Sequence, residues 1–407
     1  MGSMVLARSS AEMSGMEASE LAQPVLQTSA GPIALQVTSD LKAVRSLWHE
    51  MQDAVACTCA QTFDWARAWS EHVLAAEDRT PAIVVGHAAD GSAAFLLPFE
   101  TKRIGGLTVL KWLGQDHANY VFGLFRPEVA GVLTDTDMSA ILHEIGRRTG
   151  AAAAFLEAQP FTWDGVPNPF ALLSHQPAPN SGYAVKLGNF EDLYLSRFKK
   201  RARQTLLRKE RRLQEAGTLT YGWAATEQEK TDILETFFAQ KAQQFAAMGV
   251  TDVFVPEARA FYRDLAMLPD GNASRLRLGY VSLDGEILAT FSGTITHGRV
   301  CVLLSSLADS PYQRQSPGAQ LLRYQIEDAC NEGLRYFDLG VGAARHKSEW
   351  SNIVYPLFDS YIALKPQGLA LTLPFGVKSS VKRRIKSNPR LWALAQALRK
   401  WVNARRV

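Results

Sequence analysis

The sequence lacks the features that would indicate a metal site, a disulfide scaffold or a membrane span. Its 407 residues include four cysteines, and the spacing of Cys57 and Cys59 is not that of a metal site. The eight histidines are scattered without a metal-binding spacing. No uncharged apolar run of about 18 residues occurs, and the first thirty residues contain no continuous apolar segment. We therefore expect reduced thiols, no metal cofactor, no transmembrane helix and a cytoplasmic location.

Signatures of several enzyme classes are also missing. The chain contains no GxSxG or HExxH motif, and the glycine turn around Gly318 fits neither GxxxxGK[ST] nor GxGxxG. These absences argue against a serine hydrolase of the nucleophile-elbow type, a zinc metalloprotease, a P-loop nucleotidase and a Rossmann dinucleotide site.

Charge is distributed unevenly along the chain, although its net value is only +4. Residues 196–216 contain nine Lys/Arg and two Asp/Glu, and residues 376–407 contain ten Lys/Arg and no acid. The other residues hold 25 basic and 38 acidic side chains, a net charge of −13. Positive charge concentrated in this way is typical of proteins with an anionic partner, such as phosphate, nucleic acid or a membrane surface.

Hydrophobic periodicity predicts an α/β (α+β) fold in two halves of similar element order. In the first half we expect a short first strand at 33–35, helices at 40–51, 64–74 and 136–148, and further strands at 83–85, 94–99, 107–110, 121–125 and 153–157. In the second half we expect helices at 193–216, 227–249, 256–267 and 318–331, with strands at 219–224, 276–283, 286–296, 300–307, 335–339 and 357–364. Residues 1–24 are expected to be disordered.

The turn from residue 313 to 319 has the composition of an anion site. The first amides of a helix lack internal acceptors, and the helix dipole adds positive charge there. Gly318 permits close approach of a ligand, Ser316 is a candidate cap, and Arg314 adds a full charge. On its own, however, this turn favours an ordinary Ser-Pro helix start over an anion site.

Further residues around this turn make the chain resemble a known family. The main motifs lie in the second half and are Ser316-Pro317-Gly318, Leu321-Leu322, Glu332-Gly333, Phe337-Asp338-Leu339-Gly340, Gly342 and Lys347. Supporting motifs lie upstream and are Trp65 to Trp69, Leu96-Leu97-Pro98 and Leu113-Gly114 with Asn119-Tyr120. Together they resemble the CelD-like (BcsL-like) branch of the GNAT acetyltransferase superfamily, which is related to the Fem-type peptidyltransferases. The resemblance covers roughly residues 35–364.

The resemblance implies two tandem GNAT-like domains with mixed, largely antiparallel sheets, at residues 25–184 and 185–366, followed by a basic amphipathic tail at 367–407. The second domain would bind acetyl-CoA or another acyl-CoA, and an amine would enter between the domains. Members of this branch are associated with exopolysaccharide production and acylate amino sugars or related precursors. The expected cofactor-binding residues are Leu304, Ser305, Ser306, Gln313, Arg314, Gln315, Ser316, Gly318 and Ala319.

The resemblance also suggests catalytic and substrate-binding residues. Asp338 is a candidate proton acceptor, with a structural role in the glycine loop as an equal alternative. Lys347 would stabilise developing negative charge. His346 stands where the family has Tyr or Phe, and either fills that aromatic position or acts as a spare base. The candidate substrate-binding residues are Asp116, His117, Asn119, Tyr120 and Trp350, and Asn119 replaces the usual aspartate of the family.

The two basic segments permit several interpretations. The basic helix at 193–216 is a solvated surface, a site for a phosphate-bearing substrate, or, as in Fem-like enzymes, a tRNA site; without an aromatic platform, nucleic acid is disfavoured. In the tail, Ser387 or Asn388 would cap a helix with Leu391, Leu394, Ala395, Leu398 and Val402 on one face. Residues 378–407 would thus suit an anionic membrane surface, although docking on the protein is the alternative.

Three functional hypotheses follow. The first is a soluble or peripheral acyl-CoA-dependent N-acyltransferase, with acetyl as the expected acyl group. It would act on an amino sugar or exopolysaccharide precursor, either in the cytoplasm or at the inner face of the cytoplasmic membrane. The second is a Fem-like aminoacyl-tRNA-dependent peptidyltransferase. The third is a non-catalytic, membrane-associated ligand-binding regulator of polysaccharide synthesis.

Overall fold

A computed structural model describes residues 25–388 and Leu391 of the chain. The expected disorder of residues 1–24 and nearly all of the expected tail helix lie outside the described residues. Asn388 Oδ1 accepts a hydrogen bond from the amide of Leu391 at 3.3 Å, which is the contact expected of a helix cap. Within the described chain, no helix combines the length and the apolar character needed to cross a bilayer.

The elements of the first half follow the predicted order. They are β1 (Val25–Thr28), β2 (Gly31–Thr38), α1 (Arg45–Ala54), α2 (Phe63–His72), β3 (Arg79–His87), β4 (Ala93–Ile104), β5 (Leu107–Trp112), β6 (Leu124–Phe125), α3 (Pro127–Ala130), α4 (Asp135–Thr149), β7 (Ala153–Pro160), β8 (Thr162–Trp163), β9 (Val166–Pro167) and β10 (Gln176–Pro177). Thr134 caps α4 through a capping box with Asp137, and Gly150 ends it in a left-handed conformation.

The second half also follows the predicted order, with additional short elements. They are β11 (Gly182–Lys186), α5 (Phe190–Arg197), α6 (Lys200–Ala216), β12 (Leu219–Trp223), α7 (Glu227–Met248), α8 (Pro256–Met267), β13 (Arg277–Leu283), β14 (Glu286–Thr296), β15 (Arg299–Leu307), α9 (Pro317–Asn331), β16 (Tyr336–Val341), α10 (Arg345–Trp350), β17 (Ile353–Tyr355), β18 (Leu357–Ala363) and α11 (Leu369–Ser387). The hairpins β13–β14 and β14–β15 turn at Asp284-Gly285 and His297-Gly298, where all four residues have positive φ.

The strands form two large mixed sheets. The first runs β1-β2-β3-β4-β5-β7-β18-β10, with β6 paired to β4, and the second runs β12-β13-β14-β15-β16-β11-β17. The β5–β7 and β15–β16 pairs are parallel, and the other pairs within these two sheets are antiparallel. The expectation of mixed, largely antiparallel sheets is confirmed.

The last strand of the chain returns to the first sheet. β18 lies between β7 and β10, where Phe358 is fully buried in the core of the first half. β11, which follows the first half in sequence, lies instead between β16 and β17 of the second sheet. The expected boundary between residues 184 and 185 stays a prediction; β11 spans it, and β18, far beyond it, belongs to the first sheet.

The two halves share one hydrophobic core. The rings of Trp65 and Trp69 on α2 meet the ring of Phe261 on α8 edge to face, at centroid distances of 4.8 and 5.3 Å. At the rim of this contact, Arg67 binds Asp264 through two hydrogen bonds of 3.0 and 2.8 Å. Because apolar and charged contacts both cross between α2 and α8, the halves pack as one body.

The single helix predicted at 193–216 is wrong, because the structure divides it into α5 and α6. The chain is extended at Phe198, where φ is −124° and ψ is 124°. The Phe198 ring packs on the buried Trp350 at 4.8 Å, and its carbonyl accepts a hydrogen bond from Arg203 at 2.8 Å. Burial of this aromatic ring outweighs the helical preference of the flanking basic residues.

The position of β18 inside the first sheet can be tested by truncating its buried aromatic residue. We expect Phe358→Ala to lower the free energy of unfolding by about 3–5 kcal/mol, because a buried ring is lost and a cavity forms. The control Val354→Ala, on β17 with 56% of the residue exposed, should change it by less than about 0.5 kcal/mol. Urea unfolding measures both, and similar losses in the two variants would contradict the topology.

Candidate functional site

The candidate site is organised by the separation of two parallel strands. β15 and β16 are paired only where Arg299, Val300 and Cys301 face Tyr336, Phe337 and Asp338. Beyond this point β15 keeps β14 on one side, and a register shift leaves Leu303 without a partner in β14. Such a β-bulge bends the strand and increases its twist. From Val302 onward β15 therefore has an edge that β16 does not cover.

The carboxamide of Asn119, from the first half, bridges the separating strands. Its Nδ2 donates to the carbonyl of Val302 on β15 at 2.6 Å, and its Oδ1 accepts the amide of Val341 on β16 at 3.2 Å. Gly340 makes room for it, because a Cβ there would lie 2.6 Å from Asn119 Oδ1. Gly340 also has a φ of 78°, which favours glycine. The observed role of Asn119 is thus to join the first half to both strands.

Side chains from α7 donate hydrogen bonds to the backbone carbonyls further along the open edge of β15. Lys241 Nζ donates to the carbonyl of Ser305 at 3.0 Å, and Gln244 Nε2 donates to that of Leu307 at 2.8 Å. Burial lowers the pKa of Lys241. Two predicted cofactor residues have other contacts: Leu304 is in the core, and the Ser306 hydroxyl bonds both Thr290 and Gln240.

The turn before α9 has the shape, but not the cap, that the sequence predicts. Ser316 adopts a left-handed conformation with φ 56° and ψ 55°, and its side chain does not cap the helix. Its carbonyl instead accepts the amides of Ala319 and Gln320, at 3.0 and 3.2 Å. The amide of Gly318 is left without a helical acceptor. A Cβ at Gly318 would lie 2.8 Å from the end of the exposed Leu307 side chain, so a larger residue here would require that side chain to move.

The basic helix α6 lies directly beside this turn. Lys209 Nζ donates to the hydroxyl of Ser316 at 2.7 Å, and Gln320 Nε2 donates to the carbonyl of Leu206 at 2.8 Å. In the part of the chain that the structure describes, Lys209 has no carboxylate within 4 Å, and neither does the exposed Arg314. Two cations without acidic partners therefore flank an unsatisfied helix terminus, which gives the turn the electrostatics of an anion site.

The other residues predicted in this turn serve its local structure. Gln313 is exposed, and its Nε2 donates to the carbonyl of Ala308 at 3.0 Å. Gln315 is half-buried, and its Oε1 is a buried acceptor without a hydrogen bond in the described chain. The structure thus brings the predicted turn residues together, and adds Lys209 to them.

Asp338 lies fully buried at the end of the paired segment. Its Oδ1 accepts hydrogen bonds from the Tyr120 hydroxyl at 2.9 Å and from the Gly340 amide at 2.8 Å. Its Oδ2 is 3.6 Å from Arg299 Nη1 and makes no hydrogen bond to the described residues. Burial raises the pKa of Asp338 to about 6, although Arg299 opposes the shift. The side chain therefore titrates close to neutral pH.

Arg299 is the hub of a buried network that sequence reasoning missed. Its Nη2 binds Asp164 at 2.6 Å, and its Nη1 binds the Tyr355 hydroxyl at 2.9 Å. The guanidinium lies over the rings of Trp163 and Tyr336, at 4.4 and 4.2 Å from their centroids. Asp164 belongs to the turn between β8 and β9, so this contact also joins the two halves.

Lys347 reaches the same strand end from α10. Its Nζ donates to the carbonyl of Val341 at 3.0 Å, and burial lowers its pKa to about 8. Val341 therefore contacts Lys347 through its carbonyl and Asn119 through its amide. His346 is half-buried, and burial lowers its pKa. Trp350 is buried against Tyr194 and Phe198, so its observed role is packing.

The remaining predicted residues of the first half lie in a polar loop. Asp116 binds Lys111 at 2.9 Å and Arg79 at 3.0 Å; burial would raise its pKa, but these cations outweigh that effect and lower it. His117 contacts the Tyr262 hydroxyl at 3.2 Å, and burial lowers its pKa. The structure thus brings Asn119 and Tyr120 to the strand separation, and places Asp116 and His117 in separate contacts.

Comparison with known proteins agrees with this geometry. Residues 200–348 match the family model described as an acetyltransferase (GNAT) domain. FemX is similar in structure at 12% identity, over 83% of this chain and 100% of that one, with a TM-score of 0.57. A conserved protein of unknown function from Bacteroides thetaiotaomicron is similar at 13% identity, over 81% and 99% of the chains, with a TM-score of 0.51. The chain has no significant match among curated protein sequences.

These findings confirm the predicted fold class, and the match to a GNAT domain model lies at residues 200–348, within the second half. The likeness to the two solved structures is a likeness of fold, because the identities are low. The match to a GNAT domain covers the basic helix α6, the open edge of β15, the turn before α9 and Lys347. The CelD-like branch and the roles of individual residues stay predictions.

The raised pKa of Asp338 predicts a pH-dependent stability. The folded protein retains a proton between pH 3.8 and about 6 that the unfolded chain has released, so stability should fall as the pH rises through this window. Asp338→Asn removes this titration. We expect the unfolding free energy of the variant, relative to wild type, to rise by about 3 kcal/mol from pH 4 to 7.

Urea unfolding at several pH values measures this difference. Asp78→Asn, at an exposed position, is the control and is measured in the same way. If wild type and Asp338→Asn change in parallel between pH 4 and 7, the carboxyl is already ionised in the folded protein at acidic pH.

Proposed function

We propose that the protein is an acyl-CoA-dependent N-acyltransferase of the CelD-like kind. It transfers an acyl group, acetyl in the first instance, to the amine of an amino sugar or exopolysaccharide precursor. The observation that carries the proposal is the combination of an open β15 edge with an adjoining helix terminus flanked by Lys209 and Arg314. The reaction is placed at the inner face of the cytoplasmic membrane because residues 376–407 contain ten Lys/Arg and no acid.

The diphosphate of CoA would bind at the turn before α9. The Gly318 amide and the positive end of the helix dipole favour an anion there. Lys209 would turn from the neutral Ser316 hydroxyl to a phosphate oxygen, a stronger hydrogen bond because both partners are charged. Arg314, exposed on the same turn, would add a second cation. Support for this step is the absence of a competing carboxylate at either cation in the described chain.

The pantetheine arm would bind along the open edge of β15. Its amides need carbonyl acceptors, and Ser305 and Leu307 present theirs two residues apart on this edge. Lys241 and Gln244 now donate to these two carbonyls and would be replaced by the amides of the arm. The exchange keeps the carbonyls hydrogen-bonded throughout, which limits the free energy lost on displacing the side chains. The acyl thioester would then lie near the end of the paired segment.

The transfer itself requires one bond to form and one to break. The acceptor amine attacks the thioester carbonyl carbon, and the tetrahedral oxyanion forms on the carbonyl oxygen. The Lys347 ammonium stabilises that charge. Asp338 receives the amine proton through the Tyr120 hydroxyl, since its pKa near 6 suits a base at neutral pH. The C–S bond then breaks, and CoA leaves as a thiolate that takes up a proton.

One observation favours a second candidate function. The exposed face of α6 carries further cations, among them Arg201, Arg208, Arg211 and Arg212. A surface of this kind suits a long polyanion, so Fem-like transfer from aminoacyl-tRNA is the alternative. A non-catalytic, ligand-binding regulator is the third. Binding of CoA and tRNA, followed by turnover, separates the three.

Removing Lys209 should weaken CoA binding selectively. We expect Lys209→Ala to raise the dissociation constant of acetyl-CoA about tenfold, because one charge-assisted hydrogen bond is lost. Arg211→Ala is the matched control, since its side chain lies about 200° around the same helix from Lys209 and is exposed. It should change the constant by less than about twofold. Isothermal titration calorimetry measures both.

Three other results would contradict the proposal in different ways. Equal weakening by both substitutions would indicate a diffuse charge effect instead of a bound diphosphate. Binding of tRNA without acetyl-CoA would favour aminoacyl transfer. Binding of acetyl-CoA without acylation of glucosamine, galactosamine or mannosamine would exclude these amino sugars as acceptors and favour the regulator.

The pH profile of turnover should report both proposed catalytic groups. With acetyl-CoA and glucosamine, we expect the turnover number to rise near pH 6 as Asp338 ionises and to fall near pH 8 as Lys347 loses its proton. Asp338→Asn should lower turnover by about 10²–10⁴-fold and abolish the acidic limb. Lys347→Arg should move the alkaline limb upward, because arginine stays protonated.

His346→Phe is the control for this assignment. If His346 fills the aromatic position, its replacement leaves both limbs in place. Loss of the acidic limb in His346→Phe, with its retention in Asp338→Asn, would assign the base to His346 and leave Asp338 a structural role. CoA release is followed with a thiol reagent in each case.

A further inference from the structure

Helix α11 presents an aliphatic strip that the described residues leave exposed. Leu369, Leu373, Val377 and Val381 recur at every fourth position, and between 51% and 66% of each residue is exposed. Residues four apart lie on the same helix face, so these side chains form one strip, which we call the α11 ridge. A continuous exposed apolar strip marks an interaction surface more often than single exposed side chains do.

The opposite face of α11 fixes the helix to the first sheet. The ring of Phe375 lies 4.6 Å from that of Phe155, and Leu371 packs on the same small cluster. Near the end of the helix, Ser380, which precedes Val381 of the ridge, donates a hydrogen bond to Gln176 Oε1 at 2.9 Å. The ridge takes no part in these contacts. Substitutions in the ridge should therefore leave the attachment of α11 intact.

The charge around the ridge has one sign. The sequence of α11 contains five Lys/Arg and no Asp/Glu, and the residues from 388 to 407 add five more cations and no acid. An apolar strip within a purely cationic segment is the composition of a helix that lies in the interface of an anionic bilayer. A symmetric contact with a second copy is disfavoured, because it would bring two such cationic segments together.

A groove beside the ridge is suited to an anionic headgroup. Its volume is about 670 Å³, and its lining includes Val377 and Val381 of the ridge together with Ser174, His175 and Arg383. Arg383 donates to the carbonyl of Pro177 at 3.2 Å, which holds its guanidinium at the groove. The acid that lines the groove, Asp359, is buried, and its Oδ1 accepts the amide of Ala158 at 2.9 Å.

We propose that the α11 ridge lies in the interface of an anionic phospholipid bilayer and that a lipid phosphate enters the groove beside Arg383. The acyl chains would cover the four aliphatic side chains, while the cations of the segment meet the headgroups. This inference develops the membrane part of the proposed function and does not depend on acyl transfer. In this arrangement the α11 ridge contacts the bilayer, and the face of the first sheet that carries α11 is turned toward the membrane.

Vesicle flotation of the full chain tests the inference. The probes are vesicles of equal parts phosphatidylglycerol and phosphatidylethanolamine, and vesicles of phosphatidylcholine alone. At about 0.15 M salt, where charges are screened beyond about 8 Å, we expect flotation with the anionic vesicles only. The double substitution Leu373→Asp with Val377→Asp should lower the floated fraction at least tenfold, and Arg383→Gln should lower it a few-fold.

The matched control places the same two charges on exposed valines elsewhere. Val132→Asp with Val354→Asp, at residues 48% and 56% exposed, should float like wild type. Acetyl-CoA binding by the ridge variant should be unchanged, which shows that the chain is folded and separates this test from the proposed enzymatic function.

Three outcomes would overturn the inference. The chain could fail to float with anionic vesicles while binding acetyl-CoA, in which case the enzymatic proposal stands and the membrane surface does not. The ridge variant could float as well as wild type, which would assign binding to the cations alone. Light scattering could show a dimer that the ridge substitutions abolish, which would assign the ridge to a second copy of this chain.

Discussion

The structure depends on the separation of β15 and β16 after three paired residues. Two adjacent strands that part within a sheet leave backbone groups that need partners. Asn119 supplies them on both strands, and α7 supplies them further along β15 through Lys241 and Gln244. The first half is therefore required to complete the second sheet. The shared hydrophobic core and the hydrogen bond from Arg299 to Asp164 are further contacts that join the two halves.

The two basic segments acquire distinct positions once the chain is folded. Helix α6 lies against the turn before α9, whereas α11 lies against the first sheet. The rest of the chain carries a net charge of −13, so both segments stand out in the sequence as concentrations of positive charge. A helix terminus beside Lys209 attracts a compact anion, and an aliphatic strip beside cations attracts an amphiphilic one. Similar compositions thus support different partners because their structural neighbours differ.

Local patterns in the sequence were enough to predict the hairpins, most helices and the turn before α9, because these depend on glycine, proline and short-range periodicity. The pairing of β18 with β7 and β10 in the first sheet could not be predicted from the sequence, because strand pairing between distant residues leaves no local signal. The break at Phe198 follows from its packing on Trp350, far along the chain. Arg299, Lys209 and Lys241 were missed for the same reason: their partners lie far from them in sequence. Only the basic character of α6 could have directed attention to Lys209.

Asp338 makes a structural contact between the halves and also has a chemical role in the proposed function. Its hydrogen bond from Tyr120 joins the two halves, and burial by that same interface raises its pKa to about 6. One oxygen is fully hydrogen-bonded, whereas Oδ2 has only Arg299 at 3.6 Å. A carboxylate kept solely to cap the glycine loop would gain from saturating both oxygens. The unsaturated oxygen leaves room for a proton, as the role of Asp338 as a base in the proposed function would require. Structural and catalytic roles for this residue are consequently compatible.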